Sequence, residues 1–122
     1  MAFEDKYKAL IESLYQRTIT SSLPWESGTD NAVKCAIKEH TVTLYSSRSE
    51  DDEPLEVVVI SDQWGGQRID KFDDTDLGTA IPNSGNFANY YLMMSHLRRL
   101  ASRVASGAEA ALDEILNEIS ND

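Results

Sequence analysis

His40, His96, Cys35 and a large set of carboxylates are the residues of this 122-residue chain whose types suit catalysis or metal binding. A histidine held beside two carboxylates would suit hydrolysis or a divalent metal, since imidazole titrates near neutrality and ligates through either nitrogen. His40 and His96 are widely separated and neither belongs to an HExxH pair. Cys35 falls on the apolar face of a predicted strand, where a thiol packs as a small hydrophobe. Asp73, Asp74 and Asp76 invite a calcium reading, but no glutamate stands twelve positions along from any of them. Phosphate-cradling GxGxxG and GxxxxGK[ST] loops and paired-cysteine zinc motifs are missing from the sequence. No catalytic residue, metal ligand or cofactor is therefore assigned. A small hydrolase or metal-dependent enzyme using His40 or His96 with nearby carboxylates is retained as the alternative function.

The elements that would position these groups follow from periodicity. Leu55 to Phe72 (LEVVVISDQWGGQRIDKF) contains the four consecutive β-branched residues Val57, Val58, Val59 and Ile60, a strand apolar on both faces. With the strand at Gln67–Phe72 it predicts a hairpin whose tip carries Trp64. Asn31–Ser47 predicts a second hairpin turning at Glu39-His40, with Val33, Cys35 and Ile37 opposite Ser46, Leu44 and Val42. Phe3, Tyr7, Leu10, Ile11 and Leu14 recur at helical spacing over residues 2–18, before Pro24 and an anchoring Trp25. Phe87, Tyr90, Tyr91, Met94, Leu97, Ala101 and Val104 predict a helix over 86–105. Ser106 and Glu109 suggest a capping box opening a second helix, with Leu112, Ile115, Leu116 and Ile119 on one face. Strands flanked by amphipathic helices, without alternation, predict a two-layer α+β domain. The expected architecture is a single domain: a four-stranded antiparallel meander covered on one face by the N-terminal helix and the C-terminal helix pair.

Charge narrows the partners. The chain carries 21 acidic against 11 basic residues, a net charge of −10. Residues 49–78 hold ten of the acids against Arg68 and Lys71 alone. Such a field disfavours nucleic acid, whose binding rests on basic groups that release counterions. It suits a protein partner of basic character. No apolar run approaches the ~18 residues of a membrane helix, and Met1–Asp5 is acidic where a secretory leader is basic. A cytoplasmic protein that binds neither nucleic acid nor membrane is expected.

Three stretches, Leu23-Pro24-Trp25, Asp62-Gln63-Trp64-Gly65-Gly66 and Leu97-Arg98-Arg99-Leu100-Ala101, precede the acidic end Leu112-Asp113-Glu114-Ile115-Leu116. In this order the chain resembles a loose group of small bacterial α-β-meander-α proteins, mostly of unassigned function. The resemblance implies the fold and supplies no catalytic residues. The function expected is therefore that of a small acidic, non-enzymatic interaction protein: a regulator, adaptor, or immunity- or antitoxin-like partner. Its expected surface is the sheet face turned from the helices, carrying Tyr45, Val58, Ile60 and Phe72 with Trp64 at the hairpin tip. Unless Trp25 and the 73–86 connector cover that face, a homodimer through it is expected.

Overall fold

The computed structural model describes residues 3–20, 23–62 and 66–121. Helix α1 (Phe3–Ile19) opens the fold, with Glu4 and Asp5 in its first turn and Arg17 in its last, matching the helix dipole. A five-stranded antiparallel sheet follows, in the meander order β1 (Glu26–Ser27), β2 (Val33–Ile37), β3 (His40–Arg48), β4 (Pro54–Asp62), β5 (Arg68–Asp73). A 3-10 turn (Asp74–Leu77) leads through an irregular connector to α2 (Tyr90–Ser106) and α3 (Ala108–Ser120). The α+β meander is the architecture expected, with a two-residue edge strand, β1, added before the four predicted strands.

One layer of the core is the inner sheet face: Val33, Cys35, Val42, Leu44, Val58 and Phe72. The other is Ile11 and Leu14 of α1 with Tyr90, Met93, Met94, Leu97 and Ala101 of α2. Trp25 joins this core and donates its indole N–H to Thr18 Oγ1 at 2.9 Å, so the connector after α1 is pinned beneath the helices. Trp25 therefore belongs to the inner layer and does not cover the opposite sheet face. Leu77, from the 73–86 connector, is also fully buried. Asp73 and Asp76 form the capping box that holds this 3-10 turn.

Two register findings correct the sequence reading. The β2–β3 hairpin turns at Lys38-Glu39, with Ile37 opposite His40, Cys35 opposite Val42 and Val33 opposite Leu44. Lys38 takes the left-handed conformation (φ 54°) that this tight turn requires. The slip is two residues, so β2 and β3 keep their predicted faces. For β4 the parity reverses. Val58 pairs with Leu44 and Phe72, and Ile60 pairs with Val42. Val58, Ile60 and Phe72 therefore lie on the inner face, while Leu55, Val57 and Val59 share the other face with Ala36, Thr43 and Tyr45; Ile69 falls, unpaired, at a bulge between β4 and β5. A strand apolar on both faces carries no alternation to fix its sign. Phe72 settles it by stacking on Tyr7 of α1, ring centroids 3.9 Å apart.

At the other end of the inner face, buried Glu56 receives Arg98 of α2, with Nε to Oε1 at 2.8 Å and Nη2 to Oε2 at 3.2 Å. A buried carboxylate without such a partner is expensive, so this pair fixes where α2 crosses β4. Helix α2 ends at Gly107, whose left-handed conformation (φ 69°) lets its N–H reach Arg103 O and Val104 O. Glycine supplies the cap, and Ser106 instead donates its hydroxyl back to Arg103 O. The predicted Ser106–Glu109 capping box is absent, and α3 starts without a side-chain cap.

The face assignment is testable by contrast. Val58→Asp places a charge in the core and should cost about 4 kcal/mol or more. Ile69→Asp, at a position 58 % exposed on β5, should stay within about 1 kcal/mol. Denaturant unfolding of both variants checks it; equal losses would restore the opposite parity.

Candidate interaction surface

Helix α3 contributes no buried residue. It meets α2, its neighbour across the Gly107 turn, and leaves the sheet to α1 and α2. Leu112, Ile115, Leu116 and Ile119 are 58, 55, 58 and 65 % exposed. Their i, i+3, i+4, i+7 spacing gathers them into one stripe. Glu109, Asp113, Glu114 and Glu118 occupy the flanks and back, and no lysine or arginine follows Arg103. A helix of 13 residues is marginal alone in water. Such a helix is stabilised by burying its apolar face, and here no part of the fold does so. Sequence periodicity found this stripe but assigned it to the helical layer. Counting the apolar surface that α1 and α2 already offer the inner face would have shown that α3 was not needed there.

The second surface is the sheet face turned from the helices, on which Thr41, Val57 and Ser61 are nonetheless buried. Between β1 and the start of β5 it forms a trough of about 830 Å³, floored by Ala36, Thr41, Thr43, Val59 and Ser61 and rimmed by Glu26, Lys34 and Arg68. Beside it on β4, Leu55 and Val59 are half-buried and Val57, paired with Tyr45, is buried, so little apolar surface is open there; Ile69 of β5 is 58 % exposed. Of the residues predicted to bind a partner, Tyr45 lies here, half-buried. Val58, Ile60 and Phe72 lie beneath the helices, because of the reversed parity of β4. Trp64 lies outside the described residues.

The chemistry-bearing residues are dispersed. His40 is exposed at the start of β3, opposite Asp62 of β4. His96 is exposed on α2 beside the rings of Phe87 and Tyr15, at centroid distances of 5.5 and 6.1 Å. The two histidines therefore share no site. Cys35 is buried, and burial pushes its thiol up, away from the thiolate form a nucleophile needs. Among the described residues no three His, Cys, Asp or Glu side chains converge as metal ligands. No described helix is long and apolar enough to cross a membrane.

The carboxylates closest to the core serve structural contacts. Asp70 accepts the Tyr7 hydroxyl at 2.9 Å, and this bond is the main cause of the raised Tyr7 pKa. Glu12 of α1 accepts both the Asn83 N–H at 2.7 Å and the Tyr90 hydroxyl at 2.9 Å, tying α1 to the connector and to α2. Arg48, Arg98 and Arg99 line a polar recess with Ser46, Ser47 and Ser95. Within it Arg98 is committed to Glu56, and Arg48 to Asp52.

No protein-family model, no curated protein and no solved structure matches the chain. Its function is therefore argued from its own surfaces.

Burial and the Glu12 bond push Tyr90 up to about 12 from 10.0. Between these values the folded chain keeps a proton that the unfolded chain releases. The contribution is fully present below pH ~10 and is lost as pH rises through ~12. Unfolding free energy should decline across that window, and Tyr90→Phe should make the decline shallower. An unchanged slope in the variant would remove Tyr90 as its source.

Proposed function

We propose that this protein is a non-enzymatic interaction protein whose docking element is α3. The observation that supports this reading most strongly is the exposure, above half in every case, of Leu112, Ile115, Leu116 and Ile119 on a helix with no buried residue. Isolated exposed aliphatics are ordinary on protein surfaces; a contiguous helical stripe marks a contact surface. The recognition mode that fits is a helix laid into an apolar groove, read through anchors at i, i+3, i+4 and i+7.

The flanking charge defines the partner's chemistry. Four carboxylates with no compensating base on α3 match a groove whose rim carries lysine or arginine. The net charge of −10 adds long-range attraction to such a basic partner and repels nucleic acid. The dispersion of His40, His96 and Cys35 leaves no comparable support for an enzyme.

Quantitative capture from host extract, with wild type compared against the double variant Leu112→Lys, Ile115→Lys, tests the reading. The wild type should retain proteins or copies of itself that the variant loses at least tenfold, and the retention should weaken as salt is raised. Circular dichroism and unfolding should show the variant's α/β body intact, since the replaced residues bury nothing. Identical retention by both would refute α3 as the docking element.

A further inference from the structure

We propose that the recess between the β3–β4 hairpin and α2 binds the phosphate group of a small molecule, through Arg48, Arg98 and Arg99 with the hydroxyl of Ser95. The site lies apart from α3, and its test does not depend on α3 being the docking element.

Both layers of the fold build this recess. Ser46 pairs with Glu56 and Arg48 with Pro54, so these residues continue the inner sheet face beyond its apolar part, towards the hairpin turn. Across from them, Tyr91, Ser95, Arg98 and Arg99 stand at i, i+4, i+7 and i+8 of α2 and share one side of the helix. The two polar faces enclose about 400 Å³, a volume suited to a small metabolite.

Ser95 is the residue that points to a ligand. It is 8 % exposed and lines the recess, yet its hydroxyl makes no hydrogen bond among the described residues. A buried hydroxyl in that state is costly until a polar group meets it. The charge around it is unusual for a chain of net −10: three of the six arginines line the recess, against one carboxylate, Glu56. Glu56 takes two of the five N–H donors of Arg98 and fixes its guanidinium, so the remaining donors are already in place. Arg99 forms no ion pair among the described residues. Arg48 reaches Asp52 at 3.7 Å with both side chains more than half exposed, a weak pair that can open to a stronger acceptor. A phosphate ester brings three acceptor oxygens and close to two negative charges. It can therefore engage several guanidinium forks and a hydroxyl at once, where a carboxylate offers two oxygens and one charge.

Isothermal titration calorimetry of the full chain with inorganic phosphate and with glucose 6-phosphate, at low salt, tests the site. Wild type is compared with Arg99→Ala, Ser95→Ala and Arg68→Ala, and circular dichroism checks that each is folded. Arg98 is left intact, because its removal would strip buried Glu56 of its partner. Wild type should bind saturably at millimolar concentrations or below. Arg99→Ala should weaken binding about tenfold or more, and Ser95→Ala should weaken it by a smaller factor. Arg68→Ala removes the same charge from the other face of the sheet and should bind as wild type does. Tighter binding of glucose 6-phosphate than of inorganic phosphate supports the site as one for a phosphate ester, and equal binding supports it as one for the free ion. Absence of saturable binding by both probes would overturn the proposal. Equal weakening by Arg99→Ala and Arg68→Ala would also overturn it, since it would reduce the effect to general attraction between charges.

Discussion

Val58 has no exposed surface, lying between Leu44 and Phe72 in the middle of the sheet, and the orientation of β4 that puts it there determines the rest of the molecule. With Val58 and Ile60 inward, Glu56 on the same face meets Arg98, and Phe72 meets Tyr7. Each helix of the inner layer is thus fixed to a different strand. The same orientation turns Leu55, Val57 and Val59 to the other face of the sheet, where Val57 is buried and Leu55 and Val59 are half-buried.

The polar contacts of the helical layer divide their work in the same way. Glu56–Arg98 ties α2 to β4, while Glu12 ties α1 to α2 through Tyr90 and to the connector through Asn83. Neither pair leaves a role for α3. Gly107 in the left-handed region ends α2 and redirects the chain, and beyond it the sequence contains aliphatics and acids without a surface to meet. Burial of such a stripe contributes roughly 25 cal/mol per Å² of apolar area removed from water. That gain is available only when another chain supplies the other half of the contact.

Much of this was legible from residue types and spacing. The helix stripes, the meander and the hairpins follow from periods of 3.6 and 2, and the faces of β2 and β3 from their clean alternation. The sign of β4 was not legible, because Val57, Val58, Val59 and Ile60 are apolar in both parities; tertiary contacts at Phe72 and Glu56 decide it. That error carried Val58, Ile60 and Phe72 onto the sheet face turned from the helices, whereas Tyr45 does lie on that face. The buried position of Leu77 was hidden by the polar residues around it. The bareness of α3 was hidden for a different reason: periodicity marks which face of a helix is apolar and does not say whether the same chain covers it.

Helix α3 has no buried residue in the single chain, and the proposed function has another chain cover it. Amide hydrogen exchange followed over a dilution series tests this most directly. In the most dilute samples the amides of residues 111–120 should exchange orders of magnitude faster than those of α2 around Leu97, and their protection should rise as concentration, or an added partner, fills the stripe. Protection of α3 equal to that of α2 at every dilution would contradict the claim, since it would mean that the helix is already covered within its own chain.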